Sequence, residues 1–394
     1  VTTELKKEAV GMGSEKKISL ASMFHFDVKT YTMILALVSI WVIFTMTTNG
    51  DFLTSRNLSN LFRQMSITGI LSIGMVFIII AGHIDLSVGS LMGLLGGITA
   101  VLNVWLKVDG ILAIGITLVL GLLIGIFNGW LIAYKKIPAF IVTLGGMLVF
   151  RGILVGMTKG TTVASLDPSI RFVGNAYLVD GVGILLGLIA VAVLIYNALS
   201  VRKLHSQYGL AIPPMSVEIA KIAFAAVVIG LLIIILNSYQ GFPVPVLILA
   251  IMAVAFSYVL TKTVFGRRVY AIGGNAEAAK LSGINVTKMT LSIFAINGLL
   301  VAIAGVLLCS RLNAASVAAG QNAEMDAIAA CVIGGASLMG GVGSVGGAIV
   351  GALVMASLDN GMSMLNIETF WQFIVKGSIL VLAVWVDIAT KNKR

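Results

Sequence analysis

Twelve long apolar runs, separated by short polar joints, cover most of this chain. They fall near residues 30–48, 65–81, 86–104, 112–133, 138–157, 182–200, 218–236, 244–262, 289–308, 324–340, 342–358 and 368–386. A helix that crosses the hydrocarbon of a bilayer needs about 20 predominantly apolar residues. Lipid offers no partner to open backbone N–H and C=O groups, so each run must close its hydrogen bonds internally. The pattern therefore predicts an all-α polytopic membrane protein of about 10–12 transmembrane segments. The runs 86–104, 324–340 and 342–358 are short or broken by glycine, and re-entrant or discontinuous segments are expected there. Composition closes off the soluble alternative: only 11% of residues are charged, against roughly 25% in a soluble domain. Residues 1–29 are polar with mixed charge and no apolar core, so we expect no secretory signal there.

Orientation follows from the basic residues, which collect in cytoplasmic loops. Counted from a cytoplasmic N-terminus, lysine and arginine in the inward segments 1–29, 134–137, 200–221, 261–288 and 387–394 outnumber those outside by about three to one. The outward set is Arg56, Arg63, Lys107, Lys159, Arg171 and Arg311, while Arg151 and Lys376 stay within apolar runs. Both termini and the island 265–288 are thus expected in the cytoplasm. The net charge of +10 needs no nucleic acid, because the anionic inner leaflet attracts such loops. The expected organisation is a cytoplasmic tail 1–29, one membrane domain 30–387, and a short cytoplasmic tail 388–394.

Two stretches of the chain echo each other. Ile84–Gly93, with Asp85-Leu86-Ser87, resembles the region of Met325-Asp326 and Ser337-Leu338-Met339-Gly340. Asn128-Gly129 followed by Ile137–Val142 resembles Asp359-Asn360-Gly361 followed by Ile367–Phe373. With the loop count above, the halves 56–157 and 277–387 enter the membrane from opposite sides. That is the inverted repeat of many transporters, in which the pathway runs between the halves.

Polar groups inside these halves are costly and usually face protein or a water-filled path. Asp85, Ser87, Asn128, Asn297, Glu324, Asp326, Asp359 and Asn360 are the candidates for a translocation path or gate. They offer hydrogen bonds with little net charge, as a neutral polyol requires. Asp85, just before Ser87-Val88-Gly89, also reads as a helix cap. His83 has no second histidine nearby and reads as a packed residue. Cys309 and Cys331 lie in or beside apolar runs and read as free, membrane-packed thiols. No catalytic or metal-binding set is found, and no GxxxxGK[ST] loop exists to hold ATP.

The island Phe265–Lys288 contains a short, punctuated helix. Asn275 suits its N-cap, Glu277 places negative charge in the first turn, and Lys280 suits the last. Gly283 suits the left-handed residue that ends a helix. Such a short helix needs neighbours or a soluble partner to persist. From the residues alone, an ATP-driven importer subunit, an ion-coupled sugar carrier and a membrane lipid-sugar transferase all remain open.

Gly274-Asn275-Ala276-Glu277-Ala278-Ala279, followed by Gly283, resembles the EAA coupling loop of ABC importer permeases, without the later Leu-Pro of maltose-type members. Together with IDLSVGS at 84–90, NGWLIAYKKIPAFIVTLGGM at 128–147 and ASLDNGMSML at 356–365, the chain is similar to the monosaccharide permeases of the ribose, galactose and xylose group. The additional apolar pair near 182–236 is similar to the xylose-type member. The resemblance implies a non-hydrolytic subunit of the bacterial inner membrane that moves a monosaccharide, xylose first, by alternating access. It further implies a homodimer, a cytoplasmic ATPase that holds ATP and Mg, and an extracytoplasmic sugar-binding protein. No cofactor is expected in this chain.

Overall fold

The computed structural model describes residues 28–209 and 214–391. The expected N-terminal tail, apart from its last two residues, lies outside the described residues, as do the last three residues of the expected C-terminal tail. Each apolar run forms a helix. These are α1 (Val28–Thr47), α2 (Ser55–Ile80), α3 (Val88–Ala100, continued by a π-turn to Trp105), α4 (Gly110–Ala133) and α5 (Ala139–Thr158). A short α6 (Pro168–Asn175) lies outside the run pattern, and α7 (Asp180–Gln207), α8 (Met215–Asn237) and α9 (Val244–Lys262) follow it. The polar island folds as α10 (Val264–Gly274) and α11 (Ala276–Leu281), and the chain ends with α12 (Val286–Leu312), α13 (Ala323–Ile333), α14 (Val345–Met364) and α15 (Thr369–Lys391). Two-residue ladders join distant connections: β1 (Val163–Ala164) pairs with β4 (Ala314–Ala315), and β2 (Tyr177–Leu178) with β3 (Phe242–Pro243).

Among the described residues, 10 helices are long and apolar enough to cross a membrane. The twelve-run reading is corrected at 324–340. That stretch divides into the 11-residue α13 and a loop through residue 344, in which Gly335, Gly340 and Gly341 all have positive φ. At about 1.5 Å per residue, α13 is too short to span hydrocarbon by itself. The run 86–104 is not broken: α3 and its π-turn continue without interruption from Val88 to Trp105.

The helices sort into a centre and a lipid-facing shell. Beyond its polar first turns α2 is apolar on all sides, and nearly every residue from Met65 to Ile80 is buried, the signature of a helix surrounded by protein. α12 is its central partner. α4, α5, α7, α8 and α15 instead expose large apolar side chains, as lipid-facing helices must. The contacts fall into matched pairs: α12 packs on α4 as α2 packs on α14, α3 on α5 as α13 on α15, and α12 on α3 as α2 on α13.

Close approach explains the tightest of these contacts. A Cβ at Gly125 of α4 would run into the Phe294 carbonyl of α12, and one at Gly298 into the Gly121 carbonyl. Apolar helices in lipid gain little by mutual burial, so van der Waals fit between small residues holds them together.

Candidate functional site

The turn between α2 and α3 carries the first polar cluster. Ser87 is the N-cap of α3, which corrects the capping role expected of Asp85. Asp85 works two residues earlier: its Oδ1 accepts the Ser87 backbone N–H (2.8 Å) and hydroxyl (2.6 Å). Its Oδ2 accepts from Asn297 Nδ2 of α12 at 2.9 Å. One buried carboxylate therefore ties the α2–α3 turn to the middle of α12. Asn297 Oδ1 is buried without a hydrogen-bond partner among the described residues. His83, beside this turn, lies against the Phe294 ring (centroids 6.0 Å apart), and burial lowers its pKa from the ordinary imidazole value.

A second cluster joins the last three helices. Lys376 of α15 lies 2.9 Å from Asp326 of α13 and 2.8 Å from Asp359 of α14. The contact with Asp326 is a hydrogen bond; that with Asp359 is at ion-pair distance but off the hydrogen-bond direction. Lys376 was legible only as a lone basic residue in an apolar run, since its partners sit on other helices. Arg151 of α5, the other basic residue within an apolar run, donates to the carbonyls of Val317 and Ala319 in the connection before α13. Glu324, buried in the first turn of α13, lies where a Cβ at Gly89 would strike its carboxylate.

Asn360, the neighbour of Asp359, exchanges two amide hydrogen bonds with Asn57 of α2, at 2.8 and 2.9 Å. Asn128 is buried on α4, one residue before Gly129, whose Cα side faces Leu291 of α12. Six of the eight candidate path residues fall into three joints: Asp85–Ser87–Asn297, Asp326–Asp359 through Lys376, and Asn360 with Asn57. Asn128 and Glu324 stand apart from these joints.

The island forms a projecting unit. Asn275 Oδ1 accepts from Ala278 N at 3.0 Å, capping α11 as its sequence requires. At the other end Gly283 has φ +83°, and the Ile284 and Gly283 N–H groups return to the Ala279 and Lys280 carbonyls at 3.0 Å each. That paired return is the Schellman ending, which needs a left-handed residue. Ala279 faces inward, while Gly274, Asn275, Glu277 and Ala278 are exposed and Leu281 is 88% exposed. α10 seats the unit on the membrane body. Tyr270 donates its hydroxyl to the Gly343 carbonyl (2.7 Å), and Gly341 N donates to the Ile80 carbonyl (2.9 Å). A Cβ at Gly273 would strike that same Ile80 carbonyl. The exposed helix is therefore keyed to both the end of α2 and the glycine loop before α14.

Comparison with known proteins adds a second line. The family described as branched-chain amino acid transport system, permease component, matches residues 57–384. The chain is 55% identical over 93% of its length to the xylose transport system permease protein XylH of Haemophilus influenzae, covering 98% of that protein. It is 53% identical over 93% of its length to XylH of Escherichia coli K12, again covering 93% of the relative. The ribose import permease protein RbsC of E. coli K12 is 35% identical over 90% of this chain and 92% of its own. No solved structure matches.

Proposed function

The chain belongs to the family of branched-chain amino acid transport system permease components, and from that premise we propose that it is the non-hydrolytic membrane subunit of an ATP-driven importer of a monosaccharide, D-xylose. The relatives named for xylose match far more closely than the relative named for ribose, which supports the choice of sugar. Its place is the bacterial plasma membrane, multi-pass, with both termini cytoplasmic. Two copies form the translocating unit, with an ATPase holding ATP and Mg below and a sugar-binding protein above.

The observation that carries this reading is α11. An exposed six-residue helix with an apolar tip at Leu281 has no use for water, and its caps hold it at a defined angle. It suits a groove on a soluble partner. Movement of α11 passes through α10 to Ile80 and to the loop before α14, the contacts that keep α10 in place. The halves 56–157 and 277–387 are read as inverted repeats, supported by the matched helix pairs. In that frame the partner's closure rocks α2 and α14 with their partners, and sugar released outside passes between the halves. No step is covalent. A change of access requires only that the partner contact α11 differently in its two states.

Reconstitution tests this directly. The permease in liposomes, with its ATPase inside and sugar-loaded binding protein outside, is expected to accumulate D-xylose only when ATP is present. Uptake driven by an ion gradient without the ATPase would replace this reading with that of a secondary carrier.

A further inference from the structure

Where α2 begins, the surface opens into a polar cleft of about 540 Å³ that none of the expected path residues lines. That size is within the range of small-molecule sites, about 300–1,000 Å³. Its wall includes Asp51, Arg56, Asn60, Arg63, Tyr177 and Tyr239.

The wall groups differ in how far the protein already uses them. Arg63 is spoken for: it donates to the Tyr177 hydroxyl (3.1 Å), the Gly174 carbonyl (3.1 Å) and Asn175 Oδ1, and its guanidinium lies 5.4 Å from the Tyr177 ring centroid. Only its buried Nε lacks a partner among the described residues. Tyr239 meets the Tyr177 ring edge-on, with centroids 6.0 Å apart, so the two aromatic groups form one braced corner. Arg56 and the Asp51 carboxylate, by contrast, have no side-chain partner among the described residues. Asn60 accepts from Arg311 at 3.2 Å, which leaves its amide N–H groups for a ligand.

The free groups are thus one cation, one anion, an amide donor and an aromatic corner. An anionic ligand would meet Asp51 and a cationic one Arg56. A neutral molecule with many hydroxyls satisfies both, because each hydroxyl donates and accepts, and its C–H face suits a tyrosine ring.

We propose that this cavity is a holding site for a neutral monosaccharide on the outer side of the permease, bound through its hydroxyls by Arg56, Asp51 and Asn60 and through its ring face by Tyr177 and Tyr239. The proposal rests on the importer reading for its side of the membrane and for its sugar. The cavity also adjoins the moving parts, since Asn57 in its wall carries the two hydrogen bonds to Asn360 of α14.

The test uses accessibility. Both native cysteines are buried, so Thr54→Cys, in the wall but outside the proposed contacts, supplies a labelling site for a membrane-impermeant maleimide in intact cells. Met364→Cys, also in the wall, serves if Thr54→Cys fails to insert. Millimolar D-xylose is expected to slow labelling several-fold, and glycine betaine at equal concentration to leave it unchanged. Adding Tyr239→Ala is expected to remove the protection. In the assembled transporter, Tyr239→Ala is expected to raise KM for delivered sugar by about threefold or more with kcat retained. Labelling indifferent to xylose, in a complex that still imports xylose, overturns the holding site and leaves the importer. Protection by sugar-free binding protein but not by xylose also overturns it, in favour of a docking socket. A complex that imports no monosaccharide overturns the underlying reading instead.

Discussion

Lys376 on α15 stands between Asp326 on α13 and Asp359 on α14, at 2.9 and 2.8 Å, and so clamps a lipid-facing helix to the two helices behind it. α15 exposes Phe370, Trp371, Val381 and Trp385 on its other side. On its inner side Val375, Ile379, Leu380, Ala383 and Val384 are partly buried against the core, and the charged clamp adds to their hold.

Lys376→Met is therefore expected to destabilise the protein by about 3 kcal/mol, the lower end of the cost of leaving buried charge unpaired. Lys376→Met combined with Asp326→Asn and Asp359→Asn is expected to recover most of the loss. Thermal unfolding of the purified proteins in detergent checks both. A single variant as stable as the wild type would show that α15 is held by its apolar contacts.

At the α2–α3 turn the two obvious changes to Asp85 are expected to differ. Asp85→Ala strips partners from Ser87 and Asn297 and should cost about 1–3 kcal/mol. Asp85→Asn keeps an acceptor for Ser87, and its new N–H groups face Asn297. Turning over the Asn297 amide presents the orphaned Oδ1 to them, so the loss should stay near 1 kcal/mol or less. Unfolding midpoints of the two variants decide it. Equal losses would mean that the charge itself, and not the hydrogen-bond pattern, holds the turn.

Gly283→Val tests the coupling helix. No heavy atom stands within 4 Å of a Cβ at this position, so the change creates no clash. What it meets is the φ of +83°, which costs a residue with Cβ roughly 1 kcal/mol or more. We expect a normally inserted permease that no longer retains its ATPase on co-purification. Gly283→Asn, tolerant of that φ, should retain it. Glu277→Lys, which reverses charge in the first turn, should destabilise α11 by about 0.3–1 kcal/mol and weaken attachment more mildly than Gly283→Val. Full retention of the ATPase by Gly283→Val would reduce α11 to a connector.

Helix packing is tested by two glycines of α4. Gly125→Leu drives a side chain into the α12 backbone at Phe294, and the expected result is loss of monodisperse protein on size-exclusion chromatography. Gly115 has nothing within 4 Å of a Cβ, and Gly115→Leu should leave the profile unchanged.

Orientation is open to the same chemistry as the cavity. In intact cells, a reagent that does not cross the membrane should label Lys159→Cys and spare Glu277→Cys. Labelling of position 277 would invert the topology and remove α11 from the reach of a cytoplasmic ATPase.

The sequence by itself determined that the long apolar runs are helices, the run 324–340 apart, and how α11 begins and ends. Both follow from local rules: apolar runs must close their hydrogen bonds within themselves in lipid, and Asn275 and Gly283 act within one turn of where they stand. The run 324–340 misled because apolarity alone does not separate a helix from a glycine loop buried in protein. Only Gly334-Gly335 and the positive φ angles beyond them end α13 there. Which polar groups meet was decided by the tertiary structure. Asp85 with Asn297 and Asn57 with Asn360 join helices far apart in the chain, and Lys376 joins α15 to α13 and α14. Such pairings depend on how helices cross, and crossings are set by the summed fit of small side chains over whole surfaces. The cavity at Arg56 and Tyr239 has the same origin: its wall comes from four separate parts of the chain that only folding brings together.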